Sequence, residues 1–114
     1  MPHFIIECSE NVLNFKSKDE ILRKIYKVAE ASQLFAPNDI KVRLNSFKDF
    51  IVGKDNADFI HVFASIMEGR STEQKAQLSK EVVKNLIEIL PEVPNIAMNV
   101  DEFEKSTYCN RKMM

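Results

Sequence analysis

Apolar positions along this chain switch repeatedly between the period of a strand and that of a helix. Residues 3–8 (HFIIEC) form a short apolar run with β-branched and aromatic side chains, which predicts a buried strand. Ser17-Lys18-Asp19-Glu20 has capping-box spacing, the serine accepting a backbone N–H and Glu20 reaching back. Behind it, Ile21, Leu22, Ile25, Val28, Ala29 and Ser32 recur at helical spacing and mark a single apolar stripe. Pro37-Asn38-Asp39 punctuates the chain. Residues 40–45 (IKVRLN) then alternate, with Ile40, Val42 and Leu44 on one face and Lys41, Arg43 and Asn45 on the other. Residues 47–52 either continue this strand after a bend or form a short one of their own, and Gly53 to Asp58 reads as a turn.

The second half repeats the plan. Residues 58–67 (DFIHVFASIM) read as a strand with Gly69-Arg70-Ser71 as its exit, and Ser71 with Gln74 forms a second capping box. Leu78, Val82, Leu86 and Ile89, flanked by Val83 and Leu90, mark a second amphipathic helix. Pro91 and Pro94 end it, and residues 95–101 (NIAMNVD) give a last strand. Two βαβ units of nearly equal length follow, about 1–53 and 54–114, forming a single domain over 1–114. A βαβ crossover pairs its strands in parallel. The predicted class is therefore α/β (α+β): a two-layer fold with a four-stranded sheet and both helices on one face.

That arrangement leaves the other sheet face uncovered. The strand over 58–67 carries Ile60, Val62 and Ile66 at one parity and Phe59, Phe63 and Met67 at the other. A two-layer monomer covers only one of these sets, and a contiguous apolar patch points to a partner, most simply further copies of the chain. Composition narrows the class further. With 16 basic and 17 acidic residues among 114, the formal charge is −1, which excludes a broad electropositive footprint for nucleic acid or anionic lipid. No apolar run approaches the ~20 residues of a membrane span. The opening MPHFIIECSENV has neither a basic n-region nor a long apolar h-region, so the expected compartment is the cytoplasm. Cys8 and Cys109 match no paired metal or redox motif and read as reduced thiols.

Few residues can carry chemistry. With only Gly53 and Gly69, the chain has no phosphate-cradling glycine loop. His3 and His61 stand far apart, and no second motif supports a metal site, so no metal or cofactor is expected. His61, in mid-strand, reads as a hydrogen-bonded structural histidine, and Glu7 as half of a strand-end ion pair. Pro2 stands out. Loss of Met1 would leave a secondary amine at the start of a buried strand, a base near neutral pH if cations or apolar surroundings lower its pKa. Lys41 and Arg43 share one strand face. Arg70 sits beside the N-cap Ser71, where helix N–H groups favour an anion and a guanidinium can grip a carboxylate.

The opening MPHFIIECSEN, the capped helix, the alternating basic strand and the strand running into Gly69-Arg70-Ser71 together resemble the 5-carboxymethyl-2-hydroxymuconate Δ-isomerase family of the tautomerase superfamily. The resemblance runs through the whole chain to Tyr108-Cys109-Asn110. It implies a homotrimer of double βαβ subunits, a catalytic Pro2 exposed by loss of Met1, and substrate-binding Arg70, Lys41 and Arg43 for a small-molecule dicarboxylate. Lys41 stands where that family tends to carry arginine, and a lysine keeps the charge without the planar fork. The implied activity is cofactor-independent isomerisation of unsaturated 2-hydroxy or 2-oxo acids in aromatic-compound catabolism. Decarboxylase, hydratase or dehalogenase chemistry on the same residues is one alternative. A non-catalytic ferredoxin-like interaction module is another, because its order of elements is the same.

Overall fold

The structure is a computed structural model that describes residues 1–114. Both capping boxes form as the spacing predicts. Ser17 Oγ accepts from Glu20 N at 3.1 Å and opens helix α1, Lys18–Ala31. Ser71 Oγ accepts from Gln74 N at 3.1 Å and opens helix α2, Thr72–Ile89. In each case the third residue's side chain returns to the cap N–H, so two otherwise unpaired donors are satisfied. The stripe positions Ile21, Ile25 and Ala29 of α1, and Leu78, Val82 and Leu86 of α2, are the buried ones.

Four strands complete the fold: β1 (His3–Ser9), β2 (Lys41–Phe47), β3 (Phe59–Met67) and β4 (Asn95–Phe103). They form one sheet in the order β2-β1-β3-β4. β1 pairs with β2 in parallel, β3 with β4 in parallel, and the two units meet through the antiparallel pair β1 and β3. A ferredoxin-like split βαβ would leave a strand between the two strands of each unit. Here those strands are direct neighbours, so the ferredoxin-like alternative is overturned.

Several strand boundaries differ from expectation, three of them for a visible reason. β2 ends at Phe47, and residues 48–52 form no strand, because Asn56 Oδ1 accepts from Val52 N at 2.8 Å and draws the chain into a turn. Gly53 and Asn56 take the left-handed backbone that this turn needs, at φ 54° and 49°. β3 begins at Phe59, because Ser9 Oγ donates to Asp58 Oδ1 at 2.8 Å and accepts from Phe59 N at 3.1 Å, leaving Asp58 in the turn. β4 runs on to Phe103, since its register with β3 continues to the pair Met67 and Phe103.

The core lies between the sheet and the helix layer. Phe4, Ile6 and Cys8 of β1 and Ile60, Val62 and Ala64 of β3 pack there with the helix stripes. The opposite sheet face has no layer over it. Across it, in register, run Lys41, His3, Ser65 and Asp101; then Arg43, Ile5, Phe63 and Asn99; then Asn45, Glu7, His61 and Ala97. Accessible surface totals 7328 Å², against about 6,400 Å² for a monomer of this mass. The Cα radius of gyration is 14.9 Å, against about 13 Å for a chain of this length. Both excesses are what a subunit with one bare face shows.

Candidate active site

The antiparallel join between the two βαβ units decides which residues meet. It brings the N-terminal ends of β1 and β2 to the same end of the sheet as the C-terminal ends of β3 and β4. Pro2, Lys41, Arg43 and Arg70 therefore converge on one end although they are spread over 68 positions of sequence.

Pro2 is buried, and its carbonyl accepts from Lys41 N at 3.1 Å, so β2 is hydrogen-bonded to the chain before β1 formally begins. The Met1 ammonium donates to the Asp39 carbonyl at 3.2 Å, and Lys41 Nζ donates to the same oxygen at 2.9 Å. An amine and the Lys41 ammonium thus share one acceptor at the start of the sheet. The Met1 amine is held below its ordinary range, first by partial burial and then by Lys41. While Met1 is attached, the Pro2 nitrogen is an amide without a basic lone pair.

Arg70 follows Gly69, whose φ of 119° is open to glycine and strained for other residues. The guanidinium donates through Nη2 to the Leu34 carbonyl, which pins the segment after α1 to the exit of β3. Its remaining N–H groups have no partner in the subunit. Arg43 is turned differently: its Nη1 lies 3.0 Å from His3 Nδ1 on the uncovered face. His3 is held below the ordinary imidazole range, first by burial and then by Arg43, Lys41 and the chain N-terminus.

Two smaller expectations resolve here. His61 is hydrogen-bonded as predicted, with Nε2 2.7 Å from Asn99 Oδ1 and its ring 4.2 Å from that of Phe63. Glu7 makes no ion pair, since it stands mid-sheet between Asn45 and His61; the two ion pairs present are Arg23–Asp19 and Lys75–Glu102. Both cysteines are free: Cys8 is buried, its thiol pushed up to about 11 chiefly by that burial, and Cys109 is exposed.

Sequence reasoning missed His3 as a member of this cluster. The alternation of β2 put Lys41 and Arg43 on one face, but only the parallel register of β1 on β2 sets His3 beside Lys41. A groove of about 820 Å³ lies elsewhere, between α1 and α2, and neither Pro2 nor any of the three cations lines it.

Comparison with known proteins bears on the family and the fold. The profile of the family described as 5-carboxymethyl-2-hydroxymuconate isomerase matches residues 2–112. The 5-carboxymethyl-2-hydroxymuconate Delta-isomerase of Escherichia coli is 26% identical over 106 residues, covering 89% of this chain and 84% of that protein. A crystal structure of a 5-carboxymethyl-2-hydroxymuconate isomerase from Deinococcus radiodurans R1 superposes with a TM-score of 0.84 at 19% identity, covering 96% of this chain and 88% of that one. A fused 4-OT protein described as a symmetric trimer superposes at 0.79 with 18% identity, over 98% and 95% of the two chains. The fold is of the tautomerase type, and the chain is an isomerase belonging to the 5-carboxymethyl-2-hydroxymuconate isomerase family.

Proposed function

We propose that this isomerase moves double bonds in unsaturated 2-hydroxy or 2-oxo dicarboxylic acids, without a cofactor, using the Pro2 amine freed by loss of Met1. Its place is in the breakdown of aromatic compounds, where ring opening yields such acids. The observation that carries the reading is the convergence at Pro2: a buried proline at the head of β1, hydrogen-bonded to Lys41 and standing at the same end as Arg70. An amine at this end is already disfavoured as its ammonium form by burial and by Lys41. The Pro2 nitrogen, one residue further in, stands in the same field and is poised as a base near neutral pH.

The Pro2 nitrogen takes a proton from the 2-hydroxyl group, or from a carbon next to the carbonyl, and becomes a secondary ammonium. It returns a proton at a carbon further along the conjugated system, which shifts the double bond and regenerates the amine. One group serves as base and then acid, so no net proton is lost. Arg70, with Lys41 or Arg43 from β2, holds the carboxylates and offsets the negative charge that develops on the dienolate oxygen. The bare sheet face closes against two further copies in a homotrimer, a reading supported by the excess surface and the apolar row through Ile5 and Phe63.

The test follows the ultraviolet ketonisation or isomerisation of a 2-hydroxydienoate dicarboxylate, on protein whose intact mass shows Met1 removed. Pro2→Ala should lower turnover by about 10²–10⁴, the usual share of a general base. Retained Met1 should abolish it. Equal rates from Met1-retained and processed protein would remove Pro2 from the mechanism. Silence toward this substrate class, with turnover of a haloacrylate or a 2-oxo acid that loses carbon dioxide, would shift the reading to the alternative superfamily chemistry.

A further inference from the structure

Of the three cations, Arg43 is the one whose guanidinium is already engaged with another member of the cluster. A guanidinium only donates, and it stays protonated in proteins. With Nη1 3.0 Å from His3 Nδ1, that ring nitrogen must accept through its lone pair, so the proton of the neutral ring sits on Nε2. The charged groups that help hold the ring below its ordinary range are cations: Arg43 and Lys41 from β2, and the chain N-terminus. β3 presents the uncharged Ser65 in register; β4 presents Phe103, packed edge-on with ring centroids 6.1 Å apart, and, one strand beyond Ser65 in the same row, Asp101, whose carboxylate accepts from Asn99 Nδ2. No carboxylate is paired with His3 to favour its charged form. What remains is a neutral imidazole whose Nε2–H has no partner in the subunit, one residue from Pro2 and beside Lys41.

We propose that His3 Nε2–H donates a hydrogen bond to the substrate oxygen on which charge develops, and that Arg43 is a positioning residue that fixes the His3 tautomer rather than a carboxylate ligand. The proposal rests on the Pro2 reading and divides the cations more finely: Lys41 and Arg70 take the carboxylates, and Arg43 acts through His3. A neutral donor suits an oxygen that alternates between carbonyl and enolate, because it stabilises the charge without giving up its proton. The Nε2 proton stays on His3 throughout, so the proton balance at Pro2 is unchanged.

A double-mutant cycle on Met1-free protein tests the assignment, with kcat and KM measured separately for the 2-hydroxydienoate dicarboxylate. His3→Gln places an amide N–H near the Nε2 position and should keep most of kcat. His3→Asn does not reach, and should lower kcat by about 10²–10³, the share of one donor to a developing oxyanion. Arg43→Ala should lower kcat about 10-fold, the worth of one orienting hydrogen bond, with KM nearly unchanged. In the His3→Asn background, Arg43→Ala should add nothing. Additive losses, or an Arg43→Ala protein with raised KM and intact kcat, would return Arg43 to the carboxylates and overturn the proposal.

Nitrogen-15 NMR of the histidine rings gives a readout independent of turnover. His3 should be the Nε2–H tautomer in the parent protein and a mixture in Arg43→Ala; an unchanged tautomer would overturn the positioning role. Sedimentation of each variant checks assembly, and a His3→Asn protein that loses assembly but keeps its rate would assign Nε2–H to a neighbouring copy instead. Failure of the Pro2 reading is separately visible, as a rate indifferent to Met1.

Discussion

Phe63 stands in the middle of the uncovered face, with Ile5 and Asn99 beside it in register, and Phe63→Ala measures what that face does. Phe63 keeps 38% of its surface exposed in the single subunit; for a phenylalanine of roughly 200 Å² that is about 75 Å² of ring left for a partner to cover. At about 25 cal/mol per Å² this is worth about 2 kcal/mol per copy. Over the copies of a trimer it comes to about 6 kcal/mol, or roughly four decades in the monomer–trimer constant. That constant carries the square of concentration, so the dissociation midpoint should rise about 100-fold. Sedimentation velocity over a dilution series reads the midpoint, and far-ultraviolet circular dichroism checks that the subunit stays folded. Ile87, exposed on α2 and away from the sheet, supplies the control: Ile87→Ala should leave the midpoint where it was. A protein that is monomeric at micromolar concentration, or a Phe63→Ala midpoint equal to the control's, would refute the claim that copies of this chain cover the face.

Arg70→Ala should weaken substrate binding by about 10- to 100-fold, the range for one charge-assisted hydrogen bond, with Arg70→Lys recovering part of the loss; initial-rate kinetics at several substrate concentrations decide it. Ser17→Ala and Ser71→Ala should each cost about 1 kcal/mol in urea unfolding with the m-value unchanged, since each removes one cap from a helix that still packs. Cys109 should react with a thiol reagent in the native protein near neutral pH, and Cys8 only on unfolding. The raised Cys8 pKa also has a stability sign. The unfolded thiol ionises first, so the contribution of buried Cys8 is full below the ordinary thiol range and is lost as pH rises toward about 11. A urea midpoint that did not fall over that range for the parent relative to Cys8→Ala would contradict it.

Features that depend on near neighbours in the chain were legible in the sequence. The capping boxes at Ser17 and Ser71 are three-residue relationships, and the faces of both helices and of residues 40–45 follow from local period. Pairing was not local, and there the reading stopped short. Nothing near Phe103 tells β4 to continue; its partner Met67 does. Nothing near Phe47 marks the end of β2 except the Asn56 side chain, which reaches back across the turn to Val52. The site divides in the same way. Arg70 is visible beside its cap, and Lys41 and Arg43 are visible on an alternating strand. Pro2 is legible from the residues only as a possible amine, and its role comes from the family resemblance. The contact between His3 and Arg43 spans 40 residues and exists only because β1 and β2 run parallel in one particular register.

That register also bears on why the chain has one candidate site and not two. Two βαβ units joined antiparallel through β1 and β3 create two equivalent ends, each with one strand's start beside the other's finish. At the end where β3 starts and β1 finishes, the strand start is an internal peptide, so no amine can be exposed there. Its aspartate is engaged: Asp58 accepts from Ser9 Oγ and from Asn11 Nδ2, both at 2.8 Å. At the other end β1 starts beside Pro2, the residue proposed to supply the amine. The acids around the exits of β3 and β4 are engaged: Glu68 Oε1 accepts from Lys105 N at 2.6 Å, Glu102 pairs with Lys75, Asp101 accepts from Asn99 and Glu104 from Ser106, while the Arg70 guanidinium gives one N–H to Leu34 and keeps the rest. A near-symmetric fold thus gathers Lys41, Arg43 and Arg70 at one end, and at the other an aspartate bound by a hydroxyl and an amide. Only the first carries the groups that the proposed reaction on a dicarboxylate calls for.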